Sequence, residues 1–349
     1  MVAHRVLRGR HRGPGRAVSA AQPGRGVRVA AVDCGTNSIR LLVLEAHLRD
    51  GVVVAGEQPH RENRIVRLGQ GVDATGRIAP DAMERTVAAA ADYAALCAAH
   101  AVEQVRFVAT SASRDAENAA EFTAAIAAVF AEHGFTTAPE VISGDEEARL
   151  SFLGATGPLR ARGVPGPFLV VDLGGGSTEF VLGDEAVQAA RSVDMGSVRL
   201  TERHLHSDPP TPQEVAAALE DVDAGIDLAA EVVDLSAVTT LVGVAGTITT
   251  TTAHALGLPE YDRAAIDGVT LPVDQVRAAA RDLTARSRAQ RGELPYLHPG
   301  RVDVIGAGAL VWQRVVQRVE QVAGITTVTV SESDILDGTA LDLAARHLS

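Results

Sequence analysis

Residues Val27–Val32, apolar except for Arg28, stop at Asp33. A polar turn, Gly35-Thr36-Asn37-Ser38, separates them from a second, largely apolar run, Ile39–Glu45. The pattern returns at Phe168–Val171, which stops at Asp172, turns through Gly174-Gly175-Gly176-Ser177-Thr178 and resumes after Glu179. Short apolar runs bounded by turn residues predict buried strands. The two aspartates stand 139 positions apart (172 − 33), a spacing the size of a domain rather than of a solenoid repeat. The pattern therefore predicts two related α/β domains, each opening with a β-hairpin.

Between and after these hairpins, strands and helices are mixed. Pro80–His100 and Asn118–Glu132 read as helices, Gln104–Thr110 and Glu140–Ser143 as strands. A helix is expected to start at Gly144, where Asp145, Glu146 and Glu147 complement the positive end of the helix dipole. Further helices are expected near Thr211–Ala230, Val273–Ala289, Val302–Val322 and Ser333–His347, with strands ending at Val244 and covering Thr326–Val330. The Pro- and Gly-rich stretch Pro158–Pro167 predicts the boundary between domains 27–158 and 159–349, with the last helix a candidate to pack back on the first domain. Residues 1–26, basic and rich in Gly and Pro, read as a disordered extension without the apolar segment of a signal peptide.

Composition narrows the chemistry. The net charge is −12 and aromatic residues make up 3%, which argues against a nucleic-acid binder. No apolar run reaches the roughly 18 residues of a membrane span. Cys34 and Cys97 form neither a disulfide framework nor a zinc spacing, and a cytoplasmic location is expected. All 32 basic residues are arginine. This excludes lysine chemistry, including the phosphate-loop lysine of many nucleotide hydrolases, and leaves a cation suited to forked phosphate contacts.

The hairpin turns then read as phosphate loops. Consecutive backbone N–H groups in a tight turn form an anion nest; glycine permits positive φ and close ligand approach; Ser177 and Thr178 add hydroxyls. Asp172, at the carboxyl end of its strand, faces where a phosphate–metal unit would sit. A third element, Leu241–Thr252, places Gly246 and Thr247 at a strand-to-helix turn, and Asp194–Arg199 offers Gly196, Ser197 and Arg199. His204, His206 and Asp208 sit beside prolines and read as an exposed loop rather than a metal site.

Taken together these motifs resemble the superfamily of sugar kinases, actin and heat-shock chaperones, and within it the exopolyphosphatase/guanosine pentaphosphatase (Ppx/GppA) family. The resemblance is carried, in family order over about Val29–Asp342, by VDCGTNSIRLLV, LGQGVDATGRI, VATSASRDA, VISGDEEARLSFLGA, VVDLGGGSTEF, DMGSVRLTE and GVAGTITT. It implies an α/β fold of two duplicated ribonuclease H-like (actin-like ATPase) domains with the active site in the interdomain cleft. It also implies hydrolysis of the terminal phosphoanhydride of inorganic polyphosphate, of guanosine pentaphosphate, or of both. A phosphotransferase or a polyphosphate sensor is the alternative.

From the resemblance, Glu147 is the general base, with Glu146 the lesser candidate. Asp172 and Glu179 hold Mg²⁺ (or Mn²⁺), and Asp33 is a weaker metal candidate. Asp33, Gly35, Thr36, Asn37, Ser38, Gly174, Gly175, Gly176, Ser177, Thr178, Gly196, Ser197, Gly246 and Thr247 cradle phosphates. Arg40 and Arg114 neutralise the chain. The chain ends soon after Ser331–Leu348, without the added helical domain of longer family members. That favours short polyphosphate or guanosine pentaphosphate over processive action on long polymer. No nucleic-acid or membrane partner is expected; a homodimer is the oligomer to consider.

Overall fold

The structure, a computed structural model, describes residues 26–49 and 51–348. The expectation for residues 1–26 therefore lies outside the described residues except at Gly26, which already belongs to a strand. Among the described residues, twelve strands form two sheets: β1 Gly26–Cys34, β2 Ser38–Arg49, β3 Val52–Ala55, β4 His60–Ile65, β5 Gln104–Ala109, β6 Glu140–Val141, β7 Phe168–Leu173, β8 Thr178–Gly183, β9 Val187–Val193, β10 Thr240–Val244, β11 Thr270–Pro272 and β12 Thr327–Val330. The first sheet runs β3-β2-β1-β5-β6, with β4 sharing the outer edge of β2; the second runs β9-β8-β7-β10-β12-β11. Each begins with an antiparallel hairpin whose first strand then pairs in parallel with the next (β1 with β5, β7 with β10). The two halves are thus one topology used twice, and the two hairpins occupy the same place in it.

Both faces of each sheet are covered, which is why the central strands carry no polar alternation. Helices Pro80–Ala99 and Ala119–Glu132 bury Tyr93, Phe122, Ile126 and Phe130 against Phe107, Val32 and Ile39. The opposite face is covered by the chain's last helix, Ile335–Leu348, whose Leu336, Ala340, Ala344 and Leu348 pack on Val29, Ala31, Leu42 and Leu44. The second sheet packs Leu169, Val171 and Phe180 on helices Pro212–Ala230 and Ile305–Ala323, around the buried Trp312. Its other face receives Phe152, Ala155 and Leu159 of helix Gly144–Ala161.

That helix corrects the expected boundary. It continues through Pro158 to Ala161, so the connector begins after it. Pro158 cannot donate to the carbonyl four residues back, but its own carbonyl still accepts from Arg162 N–H, so the last turn closes. Strands β3, β4, β9 and β11 carried too little periodicity to be read from the sequence, and the helix Ser197–His204, two turns long, was read only as a turn.

The two domains meet where helices Gly144–Ala161 and Ile335–Leu348 cross. A Cβ on Gly154 would lie 1.9 Å from the Asp334 carbonyl oxygen, and one on Gly338 would lie 1.9 Å from that of Leu150. Two facing glycines let the backbones touch. On the far side of the cleft, Arg199 donates to the Gly176 carbonyl at 2.7 Å and pairs with Asp73 and Asp115 of the first domain. The arginine read as a phosphate ligand is an interdomain staple instead.

Candidate active site

The two hairpin turns face each other at the floor of the interdomain cleft, and their geometry is the same. Gly35 N–H donates to the Ser38 carbonyl at 2.9 Å, and Gly174 N–H to that of Ser177 at 3.0 Å. Closing each turn this way leaves the next amides outward: those of Thr36, Asn37, Gly175 and Ser177 meet no protein acceptor among the described residues, and all four residues line the cleft. Gly35, Ser38, Gly174, Ser197, Gly246 and Thr247 line it as well.

The glycine triplet has a different reason from the one read in the sequence. None of Gly35, Gly174, Gly175 or Gly176 has a left-handed φ. What they permit is contact between the domains: a Cβ on Gly176 would lie 2.7 Å from the hydroxyls of Thr36 and Ser111, and one on Gly175 3.0 Å from Thr36 Cβ. A Cβ on Gly196 would likewise lie 2.4 Å from the Gly175 carbonyl carbon and oxygen. Gly176 and Gly196 therefore shape the loop and do not line the cleft. Thr178 is buried, its hydroxyl donating to the Met195 carbonyl, and is not a phosphate donor either.

Hairpin register sorts the acids. Asp33 lies opposite Arg40 across β1 and β2, and Asp172 opposite Glu179 across β7 and β8. The same position thus carries a cation in one domain and an anion in the other. Arg40 donates twice to Oδ2 of Asp33, at 2.9 and 2.6 Å, and pairs with Asp334. Asp33 is accordingly neutralised and leaves the metal candidates, and Arg40, although it lines the cleft, is shared between two carboxylates. Asp172 and Glu179 have no such partner and are able to hold a hard cation. Among the described residues no group of three or more Asp, Glu, His or Cys is arranged as a metal cluster, and His204 bonds Asp221 instead of His206 or Asp208.

Glu147, on the first turn of helix Gly144–Ala161, is buried at the cleft and faces this pair. Burial and the neighbouring charges of Glu179 and Asp172 push its carboxyl well above the ordinary glutamate range, against the pull of Arg114. Asp172 is pushed up to about 8 by burial and by the charges of Asp334 and Glu179, and burial raises Glu179. Arg114 donates to Oε2 of Glu147 and to the Ile142 carbonyl, both at 3.1 Å. It fixes Glu147 and does not line the cleft. Glu146 turns the other way. Arg149 and Arg106 hold it, lowering its pKa to about 2, so it is excluded as the base.

Four site residues escaped the sequence. Thr110 and Ser111 line the cleft from the end of β5. Asp334 caps the last helix beside Arg40. Arg301 lies with its guanidinium over Gly246, so close that a Cβ there would overlap it, and that guanidinium makes no hydrogen bond or ion pair among the described residues. Burial lowers its pKa. Nothing in its local pattern, HPGRVD, separates it from a surface arginine; only the fold reveals a half-buried guanidinium at the cleft.

A model of the Ppx/GppA phosphatase family matches residues 53–343. The chain belongs to this family. Exopolyphosphatase 2 of Mycobacterium tuberculosis is 52% identical over 319 residues, 91% of this chain and 98% of that protein. A solved exopolyphosphatase-like protein, 46% identical, superposes with a TM-score of 0.86 over 92% of this chain and 100% of its own. The crystal structure of the Aquifex aeolicus family member, 29% identical, does so at 0.71 over 93% and 99%. The α/β two-domain architecture is therefore the family's, and the protein is an enzyme of this phosphatase family.

Proposed function

We propose that this protein hydrolyses the terminal phosphoanhydride of inorganic polyphosphate. One observation carries the reading: a buried glutamate, Glu147, stands in a cleft floored by two facing sets of unpaired amide donors. The outward amides of Thr36, Asn37, Gly175 and Ser177 bind the terminal phosphates and draw off developing charge. Glu147 orients a water and accepts its proton. The water oxygen bonds to the terminal phosphorus, the bridging P–O bond breaks, and orthophosphate leaves a chain one unit shorter. Arg114 holds Glu147 in place for this role.

The donor set fits Mg²⁺ or Mn²⁺. Asp172 and Glu179 supply carboxylate oxygens only, are buried, and repel each other, which suits a hard cation that takes its remaining ligands from water and phosphate. Bound there, the cation would neutralise phosphate charge.

A second substrate, guanosine pentaphosphate, is favoured by a chamber of about 470 Å³ opening off the phosphate cleft. Arg40, Ala245, Gly246 and Arg301 border both spaces, and beyond them Tyr261, Tyr296 and Leu297 offer ring and aliphatic surface for a nucleoside. A guanosine-5′-triphosphate,3′-diphosphate pyrophosphatase of Pseudoalteromonas atlantica is 32% identical over 58% of this chain.

The test is kcat/KM with Mg²⁺ for short polyphosphate, long polyphosphate and guanosine pentaphosphate, with and without ADP. Phosphate release from short polyphosphate supports the reading. ATP formation in place of phosphate, or tight binding with no release, overturns it. Arg301→Ala is expected to raise KM about tenfold or more with little change in kcat, the loss of one charge-assisted contact made equally in ground and transition state; initial-rate kinetics measure it.

A further inference from the structure

Serine hydroxyls hold the pair Asp172 and Glu179: besides Ser177 of the turn itself, which bonds Glu179, two come from outside the hairpin. Ser151, fully buried one turn beyond Glu147, donates its hydroxyl to Oδ2 of Asp172 at 2.6 Å. Ser192 on β9, directly opposite Glu179 in the register of β8 and β9, donates to Oε1 of Glu179 at 2.7 Å.

The Ser151 contact joins a helix to the sheet, and the Ser192 contact is a cross-strand pair. Four buried threonines in helices return to the carbonyl four residues back: Thr86 to Ala82, Thr156 to Phe152, Thr251 to Thr247 and Thr252 to Ile248. Ser151 does not do so and reaches across to the sheet. Ser192 sits where Gly144 begins the helix of Glu147; a Cβ on Gly144 would lie 2.5 Å from Ser192 Cβ, so the glycine allows helix and strand to close over the acids.

The other hairpin offers the comparison. Asp33 is oriented by Arg40, a cation that also cancels its charge. A serine hydroxyl orients a carboxylate through one oxygen without cancelling the charge a metal needs. It leaves Oδ1 of Asp172 without a protein donor among the described residues. Fixing a ligand's direction from behind is what supporting hydrogen bonds do at metal sites.

We infer that Ser151 and Ser192 are positioning residues that aim Asp172 and Glu179 at one divalent cation; the inference rests on the proposed reading of those two acids as its ligands.

The experiment titrates Mn²⁺ alone into the full chain, followed by electron paramagnetic resonance of the free ion, for wild type, Asp172→Ala, Ser151→Ala, Ser192→Ala and Ser192→Thr. Each serine-to-alanine variant is expected to bind Mn²⁺ about 10- to 100-fold more weakly. The melting temperature of the metal-free protein should be unchanged, and Ser192→Thr should restore binding. The Mg²⁺ concentration for half-maximal hydrolysis rises in parallel, and most of the rate returns at saturating Mg²⁺. If wild type binds Mn²⁺, Asp172→Ala does not, and both alanine variants bind like wild type, the positioning role is overturned while the ligand reading stands. If wild type and Asp172→Ala bind alike, or neither binds, the ligand reading falls and the inference with it. Weaker binding that appears only alongside a lowered melting temperature assigns the serines to packing and also overturns the proposal.

Discussion

Glu147→Gln is expected to lower kcat for phosphate release from polyphosphate by about 10²- to 10⁴-fold, the range associated with a positioned general base, while KM changes little. The amide keeps the size and the contact with Arg114 but cannot take a proton from water. Steady-state kinetics at saturating Mg²⁺ decide it; near-wild-type turnover would remove Glu147 from the mechanism. The same substitution carries a second expectation of opposite sign. Burial, with the charges of Glu179 and Asp172, raises the Glu147 carboxyl in the folded protein above its ordinary value of 4.5. A group whose pKa is raised on folding favours the folded state least when it is forced to ionise. Its destabilising effect is therefore absent below about pH 4.5 and grows as the pH rises toward the folded-state pKa. Metal-free Glu147→Gln should melt higher than wild type at pH 8, with the difference closing as the pH falls toward 4.5. Loss of activity together with gain of stability separates a strained functional acid from a structural one.

The second large effect lies away from the cleft. Gly154→Ala and Gly338→Ala are each expected to destabilise the protein by about 2 kcal/mol or more. Alanine in a helix is favoured over glycine by about 1 kcal/mol, so on an open surface either change would stabilise. Here each new methyl would lie 1.9 Å from a backbone oxygen of the opposing helix, and backbone cannot rotate away as a side chain can. The helices must part, which loosens packing on both sides of the crossing. One of them carries Glu147 and Ser151, and the other begins beside Asp334, so turnover should fall as well. Once parted for one methyl, the helices accept a second at less cost, so the double variant should lose less than the sum. Urea unfolding of the two single variants and the double variant measures all three; additive losses, or stabilisation by either alanine, would show that the crossing yields freely.

The glycine turns, the hairpins around them and the α/β order were legible because they are local. An apolar run stopping on Asp33 or Asp172 states a doubly covered strand and a turn within a dozen residues. The acids of Asp145-Glu146-Glu147 marked a helix start for the same reason. Short edge strands such as β3 and β11 were not legible, since four largely exposed residues, or three ending in proline, carry no period. The choice of Glu147 over Glu146 came from family resemblance and not from the local pattern. Adjacent on a helix, the two point about 100° apart, and only packing shows one facing Asp172 and the other held by Arg106 and Arg149.

By itself the sequence determined the duplicated hairpins, the two acids at their strand ends and the arginine-only chemistry, all of them consequences of residue type and short-range spacing. Tertiary structure decided which groups are left to act. Arg40 and Asp33 cancel each other, Arg199 is taken by Asp73 and Asp115, and Arg301 alone among these arginines keeps its guanidinium without a protein partner among the described residues. The reason is that charge pairing joins residues hundreds of positions apart, such as Arg40 and Asp334, and no local pattern encodes a partner that distant.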